Sequence, residues 1–292
     1  MRPADQGFGL LNGWHAASRS QALACAVAVS FTAGSAWAAA PAPGGVPCAS
    51  PVYLTFDTGH MGVAPLIDRV LDQEQVKATF FLANEPTQPV EGRPAGQTLD
   101  DAWAPWWKAL SRKGHDFGAH TWDHGLYRGE KSGPTGLQFK LVPTAGPRPG
   151  QPVWMDAQAY CAELARPARR FEQMTGQRMR AIFRAPGGKT SPALLAAARQ
   201  CGWHHVPWTD AGFLGDELPS DRYPNAQLLR QALARVKAGD ILLAHLGIWS
   251  RQDAWAPAVL QPLIQGLKAK GLCFATLRDH PQYRMVGSAP AP

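Results

Sequence analysis

Short runs dense in β-branched, aromatic and aliphatic residues recur along the chain: Val52–Phe56, Ala78–Leu82, Asp116–Ala119, Ala181–Arg184, His205–Trp208, Ile241–Ala244 and Cys273–Leu277. Each reads as a strand, and helical patterns fit between them. Ser191 and Pro192 provide an N-cap and a first-turn proline for a helix carrying Leu194, Leu195 and Ala198, stopped by Gly202. Leu260, Leu263, Ile264 and Leu267 repeat at helical spacing before Gly271. This alternation predicts a parallel α/β sheet; periodicity alone leaves open whether the sheet closes into a barrel. Two Pro/Gly-rich stretches, Glu85–Thr98 and Tyr127–Pro152, exceed ordinary loop lengths and are expected at a functional rim. Trp103, Trp106 and Trp107 stand at helical spacing, which suits core packing, with stacking on sugar rings as the alternative.

With 45% apolar residues in 292, 29 Gly and 26 Pro, the chain is neither disordered, collagenous nor a coiled coil. Its length allows two domains but also one α/β barrel. The formal charge of +7 is a modest excess, compatible with an anionic wall or glycan. At the N-terminus, Arg2 and Arg19 precede an apolar stretch, Ala22–Phe31, which closes on the small-x-small sequence Ala36-Trp37-Ala38. This predicts an export signal over 1–38, a linker over 39–50, a single domain over 51–280 and a tail over 281–292. The stretch is short and Ala/Ser-rich for a membrane span of about 20 residues. A periplasmic or secreted mature chain would keep Cys48, Cys161, Cys201 and Cys273, an even number in an oxidising compartment. If the sheet closes, Cys48 and Cys273 are neighbours, which favours Cys48–Cys273 and Cys161–Cys201; buried free thiols are the alternative. The tail from Gly287 to Pro292 is expected to be disordered. No nucleic-acid motif and no internal repeat occurs.

In parallel α/β proteins chemistry sits at the carboxyl ends of the strands. There the chain places Asp57-Thr58-Gly59-His60, His120-Thr121-Trp122-Asp123-His124, Arg184-Ala185-Pro186-Gly187-Gly188 and His245. His120 and His124, four apart, would lie on one side of a helical turn, as a divalent metal requires. Asp57 suits a general base, a metal ligand or the cap of an Asx-turn. Arg184 suits a carboxylate clamp beside a glycine turn that offers N–H groups to an oxyanion, or it belongs to a plain strand-to-helix turn. His245 is a general acid or a satisfied core histidine.

The order of these pieces resembles the polysaccharide deacetylases, the NodB-homology domain of carbohydrate esterase family 4. Asp57-Thr58-Gly59, His120-x-x-x-His124, Arg184-x-Pro186-Gly187-Gly188 and Leu243-Ala244-His245 carry the likeness. Lys77-Ala78-Thr79-Phe80-Phe81, Gly114-His115-Asp116-Phe117-Gly118 and Gly239-Asp240-Ile241-Leu242-Leu243 support it. It spans about Pro51 to Leu277. The resemblance implies a distorted (β/α) barrel of about seven βα units that hydrolyses N-acetyl groups of amino-sugar polymers. By position, Asp57 would be the catalytic base, and His120 and His124 the ligands of a divalent metal, zinc or cobalt. Arg184 would hold Asp57, and His245 would be the general acid. Gly187 would give an oxyanion-hole N–H beside Pro186 and Trp208. That set matches what amide hydrolysis needs: an activated water, oxyanion stabilisation and a proton for the amine.

Two departures stand out. The family pattern has a second aspartate, a metal ligand, where this chain has Thr58. Asp57 or His60 would complete the ligand set, waters would fill it, or the metal would bind weakly. The acidic partner of the general-acid histidine is also displaced, making Asp210 the first candidate and Asp216 the second. The expected partner is a glycan, peptidoglycan or exopolysaccharide N-acetylglucosamine first. A glycan-binding protein with lost turnover and an O-acetyl esterase of the xylan type are the alternatives.

Overall fold

Strand β1 (Pro51–Asp57) is apolar on both faces, and parallel neighbours cover it on both edges in this computed structural model, which describes residues 48–133, 136–251 and 253–290. The export-signal segment and most of the linker lie outside the described residues. The other parallel strands are β2 (Thr79–Leu82), β3 (Asp116–Ala119), β7 (Ile182–Phe183), β8 (His204–His205), β9 (Ile241–His245) and β10 (Cys273–Phe274). β1 pairs with β2 through Thr55–Asp57 and with β9 through Tyr53–Asp57, and β10 joins its first two residues. The row continues from β2 to β3, β7 and β8. Between β8 and β9 the circuit is closed irregularly: the Thr209 N–H donates to the Ile241 carbonyl, and the Leu214 N–H to that of Leu243. The result is the expected distorted α/β barrel, with its strands in the order and near the positions the apolar runs predict.

The crossovers are α1 (Ala64–Gln73), α2 (Ala104–Arg112), α3 (Ala157–Thr175), α4 (Pro192–Gln200), α5 (Asn225–Arg235), α6 (Trp255–Ala258) and α7 (Leu260–Ala269). α4 begins as expected: the Ser191 hydroxyl accepts from the Leu194 N–H and Pro192 fills the first turn. Trp103 and Trp107 are buried in the core, and the Trp107 indole donates to the Thr98 carbonyl at 2.8 Å, so this cluster is packing and not a sugar platform. Cys48–Cys273 and Cys161–Cys201 are both disulfides. Among the described residues no helix is long and apolar enough to cross a membrane.

Two expectations are corrected. Tyr127–Pro152 is not an open loop. It folds with its flanks into an antiparallel sheet of β4 (Gly125–Gly133), β5 (Gly136–Pro143) and β6 (Val153–Met155). Glycine and proline content masks an alternation in which Phe139 and Leu141 are buried between half-exposed Gln138 and Lys140. Nor is all of the tail loose. The Gly287 carbonyl accepts from the Ala181 N–H at 2.9 Å, and the Ala289 N–H donates to the Met179 carbonyl at 2.8 Å, so this stretch lies along the chain entering β7. Those bonds use backbone atoms only, which composition does not reveal.

Candidate active site

Parallel register brings the chemistry together. Asp57 is level with Phe81 of β2 and His245 of β9, while Leu82 pairs with Ala119 and Ala119 with Phe183. The residues at or just past these strand ends, including Asp57, His120, Arg184 and His245, therefore meet at one rim although they are far apart in sequence. Asp57, His120, His124, Gly187, Trp208 and His245 line a cleft of 220 Å³.

Arg184 is fully buried. Its Nη1 donates to Asp57 Oδ1 and Thr55 Oγ1, both at 2.8 Å, its Nε donates to the Val206 carbonyl at 3.2 Å, and the guanidinium lies 4.4 Å from the centre of the Phe81 ring. Burial pushes the Asp57 carboxyl up, but Arg184, His120 and His245 outweigh it and hold the pKa below the usual carboxylate value. Asp57 is thus ionised with Oδ1 committed, and Oδ2 faces His120 Nε2 at 3.4 Å.

His120 Nδ1 lies 2.9 Å from the Arg184 carbonyl, which can only accept, so Nδ1 carries the hydrogen and Nε2 presents its lone pair. Burial lowers the imidazole pKa to about 4 despite the Asp57 charge, so the ring is neutral at ordinary pH. A neutral nitrogen lone pair thus stands beside an ionised oxygen with no proton between them, surroundings in which Nε2 can take a divalent cation. His124 has its ring 4.9 Å from that of His120 and its Nδ1 2.6 Å from the Thr144 hydroxyl, leaving Nε2 free. The residues between them do not form the expected helical turn: Thr121 and His124 have φ of 57° and 48°, a left-handed turn pinned by the Gly125 N–H on Thr121 Oγ1. Among the described residues no three His, Cys, Asp or Glu side chains are already drawn into a closed cation cage. Glu85, three residues past β2, lines the same cleft and accepts a hydrogen bond from the Thr58 hydroxyl. His60 turns away: it accepts the Gly62 N–H on Nδ1 and faces a neighbouring cleft beside Trp249.

Asp216, not Asp210, partners His245. Asp216 Oδ1 lies 3.1 Å from His245 Nδ1, and its Oδ2 accepts the His245 backbone N–H at 2.6 Å. Register explains the exchange. Thr209 bonds at the level of Ile241 and Phe213 bridges Leu243, so Asp210 lies near the lower end of β9, about four residues or ~13 Å short of His245. Asp210 is exposed there. Burial by itself would lower the His245 pKa, but Asp216, then Asp57 and Glu217, raise it to about 9. Glu217, which the sequence reading missed, sits 3.8 Å from His245 Nε2.

Gly187 has φ of 61°, and a side chain there would press on Leu126; at Gly188 a Cβ would come within 2.6 Å of the Trp208 ring. The glycines let this turn fold against the cleft wall. Pro186 is buried behind the turn and does not line the cleft.

The polysaccharide deacetylase family model matches residues 45–206, more than half of the chain. A chitooligosaccharide deacetylase of Azorhizobium caulinodans is 25% identical over 242 residues, 78% of this chain and 93% of that protein. Among solved structures, a peptidoglycan N-acetylglucosamine deacetylase superposes with a TM-score of 0.57 at 20% identity, over 84% of this chain and 92% of that one. A family 4 acetyl xylan esterase of Clostridium thermocellum, which holds a cobalt ion, gives 0.57 at 22% identity, over 82% and 99%. At these identities the superpositions establish the fold.

Proposed function

Because this chain belongs to the polysaccharide deacetylase family, we propose that it is an exported, divalent-metal-dependent hydrolase that removes N-acetyl groups from N-acetylglucosamine units of peptidoglycan or an exopolysaccharide. One observation carries the choice of reaction. An aspartate kept ionised and a histidine held protonated, its pKa raised to about 9, share one cleft as register partners on adjacent strands. An amide needs both, since its amine leaves well only when protonated, whereas an ester needs less help from an acid.

His120 and His124 would hold the cation, zinc or cobalt, which supplies Lewis acidity toward a water and a carbonyl when bound. Asp57 Oδ2 accepts the proton of the attacking water while Arg184 fixes the other oxygen. As the water oxygen bonds to the acetyl carbon, the Gly187 N–H is the candidate donor to the developing oxyanion. His245 Nε2 then gives its proton to nitrogen as the C–N bond breaks, leaving acetate and a free amine. Asp216 orients the ring through Nδ1. The sequence of 1–38 and the two disulfides support export to an oxidising compartment.

The test is acetate release from chitooligosaccharides and peptidoglycan, with acetylated xylan alongside and with or without chelator. Asp57→Asn and His245→Ala should each lower release by at least about 10²-fold while the protein stays folded. Full activity in both variants overturns the mechanism. A His245→Ala loss confined to amide substrates leaves room for the O-acetyl reading. Glycan affinity without turnover in the wild type would favour the binding-protein reading that Thr58 motivates.

A further inference from the structure

We propose that Glu85, held in place by Thr58, supplies the carboxylate ligand of the cation site in this chain. The proposal rests on the metal-dependent reading above and names a ligand beyond the two histidines.

Thr58 offers a cation no charge, and its hydroxyl is turned to Glu85. That hydroxyl donates its only proton to Glu85 Oε2 at 2.5 Å and accepts the Ala83 N–H at 3.1 Å. Both interactions orient Glu85. The Glu85 backbone is fixed as well: its N–H donates to Thr98 Oγ1 at 3.2 Å, and its carbonyl accepts the Thr98 N–H at 2.9 Å. The carboxylate is therefore held at the cleft wall, and a small closing of the cleft would bring it into one donor set with the two histidines.

Its surroundings call for a cation. The Glu85 side chain is 14% exposed, and among the described residues no Lys or Arg pairs with it. The nearest basic atom is His124 Nδ1, 4.0 Å from Oε1, and that nitrogen is already engaged by Thr144. Oε2 accepts the Thr58 hydrogen bond, whereas Oε1 makes no hydrogen bond among the described residues and belongs to a side chain lining the same cleft as Asp57, His120 and His124. Glu85 Oε1 is thus an anionic donor open to the cleft beside the imidazoles, with no hydrogen-bond partner to displace among the described residues. Two imidazoles plus one carboxylate are a common donor set for zinc, with further positions open for water and substrate. Glu85 reaches the cleft from three residues past β2, next to β1, so a longer side chain from beyond the neighbouring strand takes the place of a shorter one at position 58.

Glu85→Gln isolates the charge, because the amide oxygen can still accept the Thr58 hydrogen bond. Zinc affinity, measured by competition with a chromophoric chelator, should fall at least about tenfold in Glu85→Gln. The visible absorption bands of the cobalt-loaded protein should change, since they report the donor set directly. Adding Thr58→Asp to Glu85→Gln should recover most of the affinity. Thermal melts in chelator, equal for all variants, separate ligation from folding. If Glu85→Gln binds zinc as the wild type does and leaves the cobalt spectrum unchanged while His120→Ala loses the metal, Glu85 is not a ligand and the two-histidine reading stands. If the wild type itself takes up neither zinc nor cobalt, the metal-dependent reading fails and this inference fails with it.

Discussion

Arg180 and Arg184 lie four residues apart at opposite ends of the same strand, and both are buried against a carboxylate. Around Arg180 the carboxylate is fully spoken for: Asp116 Oδ2 meets Arg180 Nη1 at 3.1 Å and Oδ1 meets Arg278 at 3.3 Å. Arg180 Nη2 is taken by the carbonyls of Tyr283 and Val286. Around Arg184 the account stays open. Its Nη2 has no partner among the described residues, and Asp57 keeps Oδ2 free toward His120. A pair that holds the fold satisfies its polar atoms, whereas a pair that serves chemistry leaves one aimed at the cleft.

Replacing each arginine with Met breaks the comparison most directly. Arg184→Met strands a buried carboxylate and should cost about 3–5 kcal/mol of stability, measured by denaturant unfolding, whereas Arg180→Met leaves Asp116 its contact with Arg278 and should cost less. Only Arg184→Met should also abolish acetate release per folded molecule, because Asp57 would lose the charge that keeps it ionised. Equal losses of specific activity in both variants would erase the distinction.

A smaller effect is expected at the acid. With its pKa raised to about 9, His245 stays protonated through neutral pH, and activity that uses it as the acid should fall as pH rises through that value. Asp216→Asn removes the foremost anion, so the imidazole pKa drops toward about 6.5, its ordinary value. The alkaline limb of kcat/KM against pH should then move down by about one to two units, while the acid limb, set by Asp57, stays in place. An unmoved alkaline limb would separate Asp216 from the titration of His245.

How legible each part was in the sequence follows from how it is positioned. Asp57, His120, Arg184 and His245 end or directly follow regular strands, so apolar runs with a polar residue at the tip disclose them before any fold is known. Asp216 and Glu85 are placed by irregular chain. Asp216 reaches His245 because the Phe213–Leu214 stretch lies alongside β9, a register that no periodicity announces. Glu85 follows β2 by three residues, and reading past that strand's end as closely as past the others would have found it. The antiparallel sheet over β4, β5 and β6 was hidden by its glycines and prolines, although Leu137, Phe139 and Leu141 alternate with Gln138 and Lys140. His124 shows the converse: the motif was plain, but the left-handed turn that orients the ring was not.

The smallest effect should come from the end of the barrel remote from the cleft. Truncation after Val286 keeps the carbonyls of Tyr283 and Val286 on Arg180 but removes those of Gly287 and Ala289, together with the Ala289 N–H that bonds Met179. At about 0.5–1.5 kcal/mol for each of these three hydrogen bonds, the truncated chain should unfold about 1.5–4.5 kcal/mol more easily. Its acetate release per folded molecule should match the full chain, because none of these atoms touches a residue that lines the cleft. A variant that melts normally but has lost turnover would mean that the strand transmits tail contacts from Arg180 to Arg184, and the two ends could no longer be treated as independent.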